Sequence, residues 1–253
     1  MLTDHEFMRY SRQVLLDDID VQGQEKLKNS KVLIVGLGGL GSPVSLYLAG
    51  AGVGNLWIAD YDNLHLSNLQ RQILYDTKNI SKSKVELAAN RLYELNPLIN
   101  INILHQKLFF ESLLSIAKKV DLIVDCSDNM ITRHDINSVC VMTKTTLVSG
   151  SAIGFSGQLI ILEPPFNYGC YACLYPNKDD IELNCRMSGI LGPVVGIIGS
   201  LQALETIKLL IGFPSVLSGK IFLFDAKQQK WNKLQLSISF KCPVCQEKNE
   251  RNN

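Results

Sequence analysis

Lys31-Val-Leu-Ile-Val35 runs without a break into Gly36-Leu37-Gly38-Gly39-Leu40-Gly41, and the reading of this stretch decides the fold. A short continuous apolar run bounded by glycine is the mark of a strand buried on both faces of a parallel sheet. Leu40 to Ala51 suits a helix. In that strand–turn–helix setting the glycines match G-x-G-x-x-G. They permit a tight turn and let backbone N–H groups at the helix start approach a phosphate. A second strand, Asn55 to Ala59, ends at Asp60, whose carboxylate can accept hydrogen bonds from ribose hydroxyls. The motif predicts a nucleotide site. Alone it permits either ATP or NAD, and a bare tight turn is the remaining alternative.

Moving outward, residues 4–30 read as N-terminal helices. Val85, Ala88, Leu92 and Leu95 keep the i, i+3, i+7 rhythm of a helix that Asn96-Pro97 stops. Ile99, Ile101 and Ile103 alternate with asparagines as a strand, Leu122-Ile-Val124 is another buried strand, and Asn129 to Met142 is a helix. This alternation over 31–150 predicts a Rossmann-like, doubly wound, mainly parallel α/β sheet. Beyond it, Gln158–Leu162, Lys220–Phe224 and Leu234–Ile238 read as strands, with one long helix at about 190–211. Residues 151–253 are therefore expected to extend the sheet antiparallel within a single domain of 1–253.

Composition agrees. The 253 residues are 46% hydrophobic and 19% charged, which excludes a disordered chain. Lys plus Arg is 25 against 24 for Asp plus Glu, a net charge of +1, and this gives no general attraction to nucleic acid or an anionic membrane. The uncharged stretches Val32–Ala59 and Met187–Leu204 are broken by glycines and prolines, so neither is expected to span a membrane. Glycines three or four apart from Gly189 to Gly199 form one smooth helical face, a candidate surface for close subunit packing. The polar start Met1-Leu-Thr-Asp-His-Glu6 is no secretory signal, so a reducing cytoplasm is expected.

Three further segments carry chemistry. Ser67-Asn68-Leu-Gln70-Arg71-Gln72, followed by Lys84, brings two cations and several amides near the strand ends. Transfer of a phosphoryl or adenylyl group needs such a cluster, because negative charge builds on the leaving phosphates. A solvated helix with ordinary cations is the alternative. Asp125-Cys-Ser-Asp128-Asn129 follows a buried strand, where a carboxylate such as Asp128 can hold Mg²⁺ against a triphosphate or can simply cap the next helix. Cys170-Tyr-Ala-Cys173 and Cys242-Pro-Val-Cys245 form two C-x-x-C pairs, together the ligands of a closed, structural Zn²⁺ site; a redox dithiol is the other reading. Cys185 stands apart beside Arg186, either a nucleophile toward an activated acyl group or a passive thiol. Cys126 and Cys140 read as core residues.

In this order the motifs resemble the ThiF/MoeB/HesA family, relatives of ubiquitin-activating enzymes. The likeness runs from about Phe7 to Cys245 and includes Arg9-Tyr-Ser-Arg12-Gln and Gly199-Ser-Leu-Gln-Ala-Leu-Glu205. Ser83, where many relatives have proline, is a mild departure. The resemblance implies ATP-dependent adenylation of the Gly-Gly carboxylate of a small ubiquitin-like sulfur carrier, with release of pyrophosphate. The branch it favours is thiamine thiazole biosynthesis, with ThiS as carrier. The molybdopterin branch, with MoaD, is the alternative, and a nicotinamide oxidoreductase a distant one. It also implies roles. Gly36, Gly38, Gly39, Leu40, Gly41 and Asp60 would hold the nucleotide. Asn68, Arg71 and Lys84 would face the phosphates, Gln72 and Asn129 would also contact the nucleotide, and Asp128 would bind Mg²⁺. Arg12 would reach into the partner site of a homodimer. Cys185 would take the position of a thiol that can link to the carrier before a separate sulfur-donor protein acts.

Overall fold

The computed structural model describes residues 1–176 and 189–246. Helices α1 (Asp4–Val14) and α2 (Asp20–Asn29) precede β1 (Lys31–Val35). Then follow α3 (Gly41–Ala51), β2 (Asn55–Ala59), α4 (Lys84–Leu95), β3 (Asn100–Leu104), α5 (Phe110–Ala117), β4 (Leu122–Asp125), α6 (Met130–Thr143) and β5 (Thr146–Ile153). The remaining elements are β6 (Ser156–Leu162), the short helix α7 (Tyr171–Leu174), the long helix α8 (Gly192–Ile211), β7 (Lys220–Asp225) and β8 (Lys230–Gln235).

The strands form one sheet in the order β3-β2-β1-β4-β5-β6-β7-β8. Pairs from β3 through β5 are parallel, and those from β5 through β8 are antiparallel. Val32, Leu33 and Ile34 are fully buried, as two covered faces require. One core lies between the sheet and α3, α4 and α8; the other lies beneath α5, α6 and α7. Because β1 sits between β2 and β4, the chain leaves it in opposite directions. This is the switch point where open α/β sheets open a crevice for ligand at the strand ends.

Several elements differ from the sequence expectation: α5 and α7 are additional to it, and β5 and β8 depart from it for physical reasons. The last strand is Lys230–Gln235 rather than Leu234–Ile238. Trp231 lies opposite Phe224 and stacks on Phe224 and Phe222 at 4.2 and 4.5 Å between ring centroids, and this pairing sets the register of an otherwise exposed edge strand. Leu236 instead turns into the core on the way to the last cysteines. Strand β5 has no apolar signature of its own, since Ser149, Gly150 and Ser151 interrupt it. Gly150 is needed there, because any side chain would collide with the buried Gln202 amide.

Part of the glycine face of α8 packs within the chain. A methyl group at Gly199 would approach Leu40 O within 2.6 Å, and one at Gly192 would approach Gln70 O within 2.6 Å. These two glycines bring α8 against its own phosphate loop, while Gly189 and Gly196 face open space. Helix α8 is the one described helix long and apolar enough to cross a membrane, and it packs on α3, β5 and β6.

Helix α1 is anchored at the far ends of α3 and α4. Thr3 and Glu6 form a capping box, and Lys28 Nζ donates to Glu6 at 2.8 Å. Tyr10 fills the space beside Gly52, the C-cap of α3, and accepts from Asn96 Nδ2 at 2.8 Å. Arg9 donates to Leu95 O at 3.0 Å.

Candidate nucleotide site and cysteine cluster

The glycine loop is closed by its neighbours. Gly36 has φ +91°, and a methyl group there would lie 2.7 Å from Cys126 O, so only glycine lets the β1 and β4 loops touch. A side chain at Gly41 would collide with Gly36 O. Asp60 Oδ2 accepts the Leu37 N–H at 2.8 Å, and Oδ1 accepts that of Asp62 at 2.8 Å. Burial pushes the Asp60 carboxyl up, opposed by these two backbone donors. Tyr75 donates to Leu37 O at 2.9 Å from below.

Arg71 and Gln72 lie against this loop, and Lys84 stands beside its Asp60 support. Arg71 is half-buried, with its stem beside Gly39, and its guanidinium donates to Ser67 O at 3.0 Å. The Gln72 amide lies against Gly38, and its buried Oε1 has no hydrogen-bond partner among the described residues. A buried acceptor left unpaired is costly and fits a site that a polar ligand completes. Asn68 Oδ1 accepts from the His65 N–H at 3.2 Å, closing its own turn. Lys84 is buried and pairs with the half-exposed Asp62 at 2.9 Å, beside Asp60. Asp62 is a partner that the sequence motifs do not flag.

The β4 loop stands next to the glycine loop. Asn129, not Asp128, caps α6, with Oδ1 accepting from Thr132 N at 2.9 Å. Asp128 is exposed and makes no hydrogen bond among the described residues, so its carboxylate is available to a cation, as the Mg²⁺ expectation requires. Beneath it Asp125 accepts from Ser127 Oγ at 2.6 Å, Ser149 Oγ at 2.8 Å and Arg133 Nη1 at 3.3 Å. Arg133 also donates to Ser127 O. Gln202 of α8 donates to Asp125 O at 2.8 Å. All five side chains of this network are buried, so a satisfied polar cluster fixes the loop rigidly. Cys126 and Cys140 are core thiols, and burial drives both pKa values up.

The structure does not bring Arg12 to this site. It is exposed on α1, which is tied to the C-terminal ends of α3 and α4, whereas the glycine loop adjoins the N-terminal end of α3. Helix α3 has 11 residues, a span of about 16 Å. Cys185 lies outside the described residues.

The two C-x-x-C pairs meet. Their four sulfurs all lie within 4.8 Å of one another, with Cys170–Cys242 at 3.6 Å and Cys173–Cys245 at 3.4 Å. Four thiolates about 2.3 Å from one tetrahedral zinc stand about 3.8 Å apart, whereas a disulfide requires about 2.05 Å. The cluster therefore fits a closed metal site and not a pair of disulfides. Hydrogen bonding from Cys245 leads in bringing the Cys170 thiol down to about 5, against its burial. The donor Cys245 is driven up in turn.

The ThiF family model matches residues 10–244. The chain belongs to the ThiF family. This ThiF-family chain is 52% identical over 244 residues to the sulfur carrier protein ThiS adenylyltransferase of Escherichia coli K12, covering 96% of the chain and 97% of that protein. It is 43% identical over 244 residues to the molybdopterin-synthase adenylyltransferase of the same strain, covering 96% and 98%. The crystal structure of E. coli MccB with ATP superposes with a TM-score of 0.83 at 26% identity, covering 94% of this chain and 73% of that one. The chain is thus an adenylyltransferase, and ATP use follows from the family. The nicotinamide alternative that the glycine loop alone permits finds no support among these relatives.

Proposed function

We propose that this adenylyltransferase activates the C-terminal Gly-Gly carboxylate of a small ubiquitin-like sulfur carrier, ThiS, for thiamine thiazole biosynthesis. The observation that carries the reading is the 52% identity to a ThiS adenylyltransferase across nearly the full length of both chains. The MoaD-directed alternative has a relative of equal coverage at 43% identity.

In the reaction, a carrier carboxylate oxygen attacks the α-phosphorus of ATP, the bond to the β-phosphate oxygen breaks, and acyl-adenylate and pyrophosphate result. The carboxylate is already ionised at neutral pH, so no general base is needed. The difficulty is bringing two anions together. Gly36 to Gly41 receive the nucleotide on backbone N–H groups, and Asp60 holds the loop in shape through Leu37. Arg71, Lys84, Asn68 and Gln72 line the phosphates. Lys84 is held in place by Asp62, and this pair keeps the ammonium oriented before substrate arrives. Asp128, presented by the loop that Asn129 ends, would hold Mg²⁺, which when bound neutralises charge on the phosphates. Arg12 serves the partner's site in a homodimer, consistent with its place far from its own glycine loop. Cys185 would attack the carbonyl carbon of the acyl-adenylate to form a thioester, as the bond to the adenylate oxygen breaks and AMP leaves. Sulfide-level sulfur from a separate donor protein would then displace the Cys185 thiol to give the thiocarboxylate. Cys185→Ala is then expected to retain pyrophosphate exchange and lose thiocarboxylate formation.

The cysteine cluster would hold one structural Zn²⁺ through Cys170, Cys173, Cys242 and Cys245. It would join the last strands to the rest of one domain, 1–253, and close-set reduced thiols suit the cytoplasm. Structural zinc contributes about 10–16 kcal/mol in small peptides, so Cys242→Ser should lower metal content and the thermal midpoint together. A purified chain free of metal yet equally stable would refute this.

The functional reading is tested by ATP–pyrophosphate exchange with purified carriers. Exchange is expected with a ThiS-type carrier and to vanish when its last glycine is deleted. Preference for a MoaD-type carrier would select the alternative.

A further inference from the structure

The first C-x-x-C pair is laid along one face of α6. Tyr171, between Cys170 and Cys173, is buried, and its Oη donates to Met130 Sδ at 3.6 Å. Its ring meets His134 edge-on at 5.7 Å, and its backbone N–H donates to Asn137 Oδ1 at 2.8 Å. Met130, His134 and Asn137 are spaced i, i+4, i+7, one stripe of the helix. Asn137 is fully buried, and its Nδ2 donates to Cys170 Sγ at 3.4 Å. One amide thus grips both the cysteine sulfur and the backbone of the next residue. A buried amide whose donor and acceptor are both used in this way has a fixed orientation.

The geometry points to Asn137 as a positioning residue of the cysteine site: it aims the Cys170 sulfur at the metal and fastens the metal knuckle to the helix that Asn129 caps. Partners outside the ligand set orient metal ligands, and their loss costs about 10–100-fold in metal affinity. The inference rests on the zinc reading above. Its consequence is that the metal site and the nucleotide loop share one rigid element, α6, at whose N-terminus Asn129 forms the cap.

The test uses the full chain loaded with zinc, then with cobalt as a spectroscopic probe. Asn137→Asp keeps an acceptor for the Tyr171 N–H but removes the donor to sulfur; Asn137→Ala removes both. Both variants are expected to lose zinc affinity about 10–100-fold in competition with a chelator. Removing the N–H bond raises the sulfur donor orbital, so the sulfur-to-cobalt charge-transfer band should move to lower energy. Affinity within twofold of wild type together with an unshifted band would overturn the inference while leaving zinc in place. A wild-type chain that takes up no metal would overturn the zinc reading and this inference together. Should both variants fail to fold, the wild-type chain loaded with ¹¹³Cd decides: a scalar coupling between the Asn137 amide protons and the metal supports the bond through sulfur, and its absence overturns it.

Discussion

Asp128→Asn is expected to lower ATP–pyrophosphate exchange about 10²–10³-fold while leaving the thermal midpoint of the chain unchanged. The two halves of that expectation come from different residues. Asp128 is exposed and hydrogen-bonds to no described residue, so removing its charge breaks no hydrogen bond and gives up only a minor attraction to the buried Arg133, for which Asp125 is the larger partner. The helix cap belongs to Asn129, and the loop is held from beneath by Asp125, Arg133, Ser127, Ser149 and Gln202. What the variant would lose is the carboxylate proposed to hold Mg²⁺ against the phosphates. The loss should appear mainly in kcat, and raising Mg²⁺ should recover part of it. A variant that exchanges at the wild-type rate would show that another group does this work. Arg133→Ala makes the contrast. It strands the buried Asp125 carboxylate without its charged partner, so it should cost stability as well as exchange.

That contrast marks what the sequence could reveal. The glycine loop, Asp60 and the Asp125–Asn129 segment follow apolar strands directly, so short-range pattern placed them on loops at the strand ends. The cysteine pairs were legible because C-x-x-C spacing is itself a ligand geometry. The buried network was not. Arg133 looks like any helix cation, and only the fold puts it under Asp125. Gln202 reaches Asp125 from α8 across a long sequence separation. Asn137 is one amide in a helix until Cys170 and Tyr171 pack on it. The choice between a cap at Asp128 and one at Asn129 depends on backbone angles, which composition does not encode. The glycine face of α8 was visible as a pattern, but the pattern could not tell packing on its own chain from packing on a partner. Gly192 and Gly199 turned out to serve the former. The bounds of β8 fall at Lys230–Gln235 rather than Leu234–Ile238 for a similar reason, because an aromatic stack of Trp231 on Phe222 and Phe224 outweighs the apolar run beyond it.

Arg12→Ala is expected to reduce exchange by a comparable factor, about 10²–10³, although the residue lies remote from its own glycine loop. Distance is the reason to attribute the effect to a neighbouring subunit. Helix α1 is pinned through Arg9, Tyr10 and the Lys28–Glu6 ion pair, so it cannot swing round to its own site without breaking these bonds. An arginine held outward in this way, if it meets phosphate at all, meets that of another copy. In a symmetric dimer each site would then combine one chain's Asp128 with the other's Arg12. Mixing Arg12→Ala with Asp128→Asn chains makes this measurable. In a mixed dimer one site carries both defects, and the other keeps an intact Asp128 and borrows an intact Arg12. Half of the dimers are mixed and half of their sites are whole, so random exchange should restore roughly a quarter of wild-type activity. Refolding the two variants together and assaying pyrophosphate exchange gives the answer. No recovery, with mixed dimers demonstrated by mass, would place Arg12 within its own chain or away from the phosphates altogether.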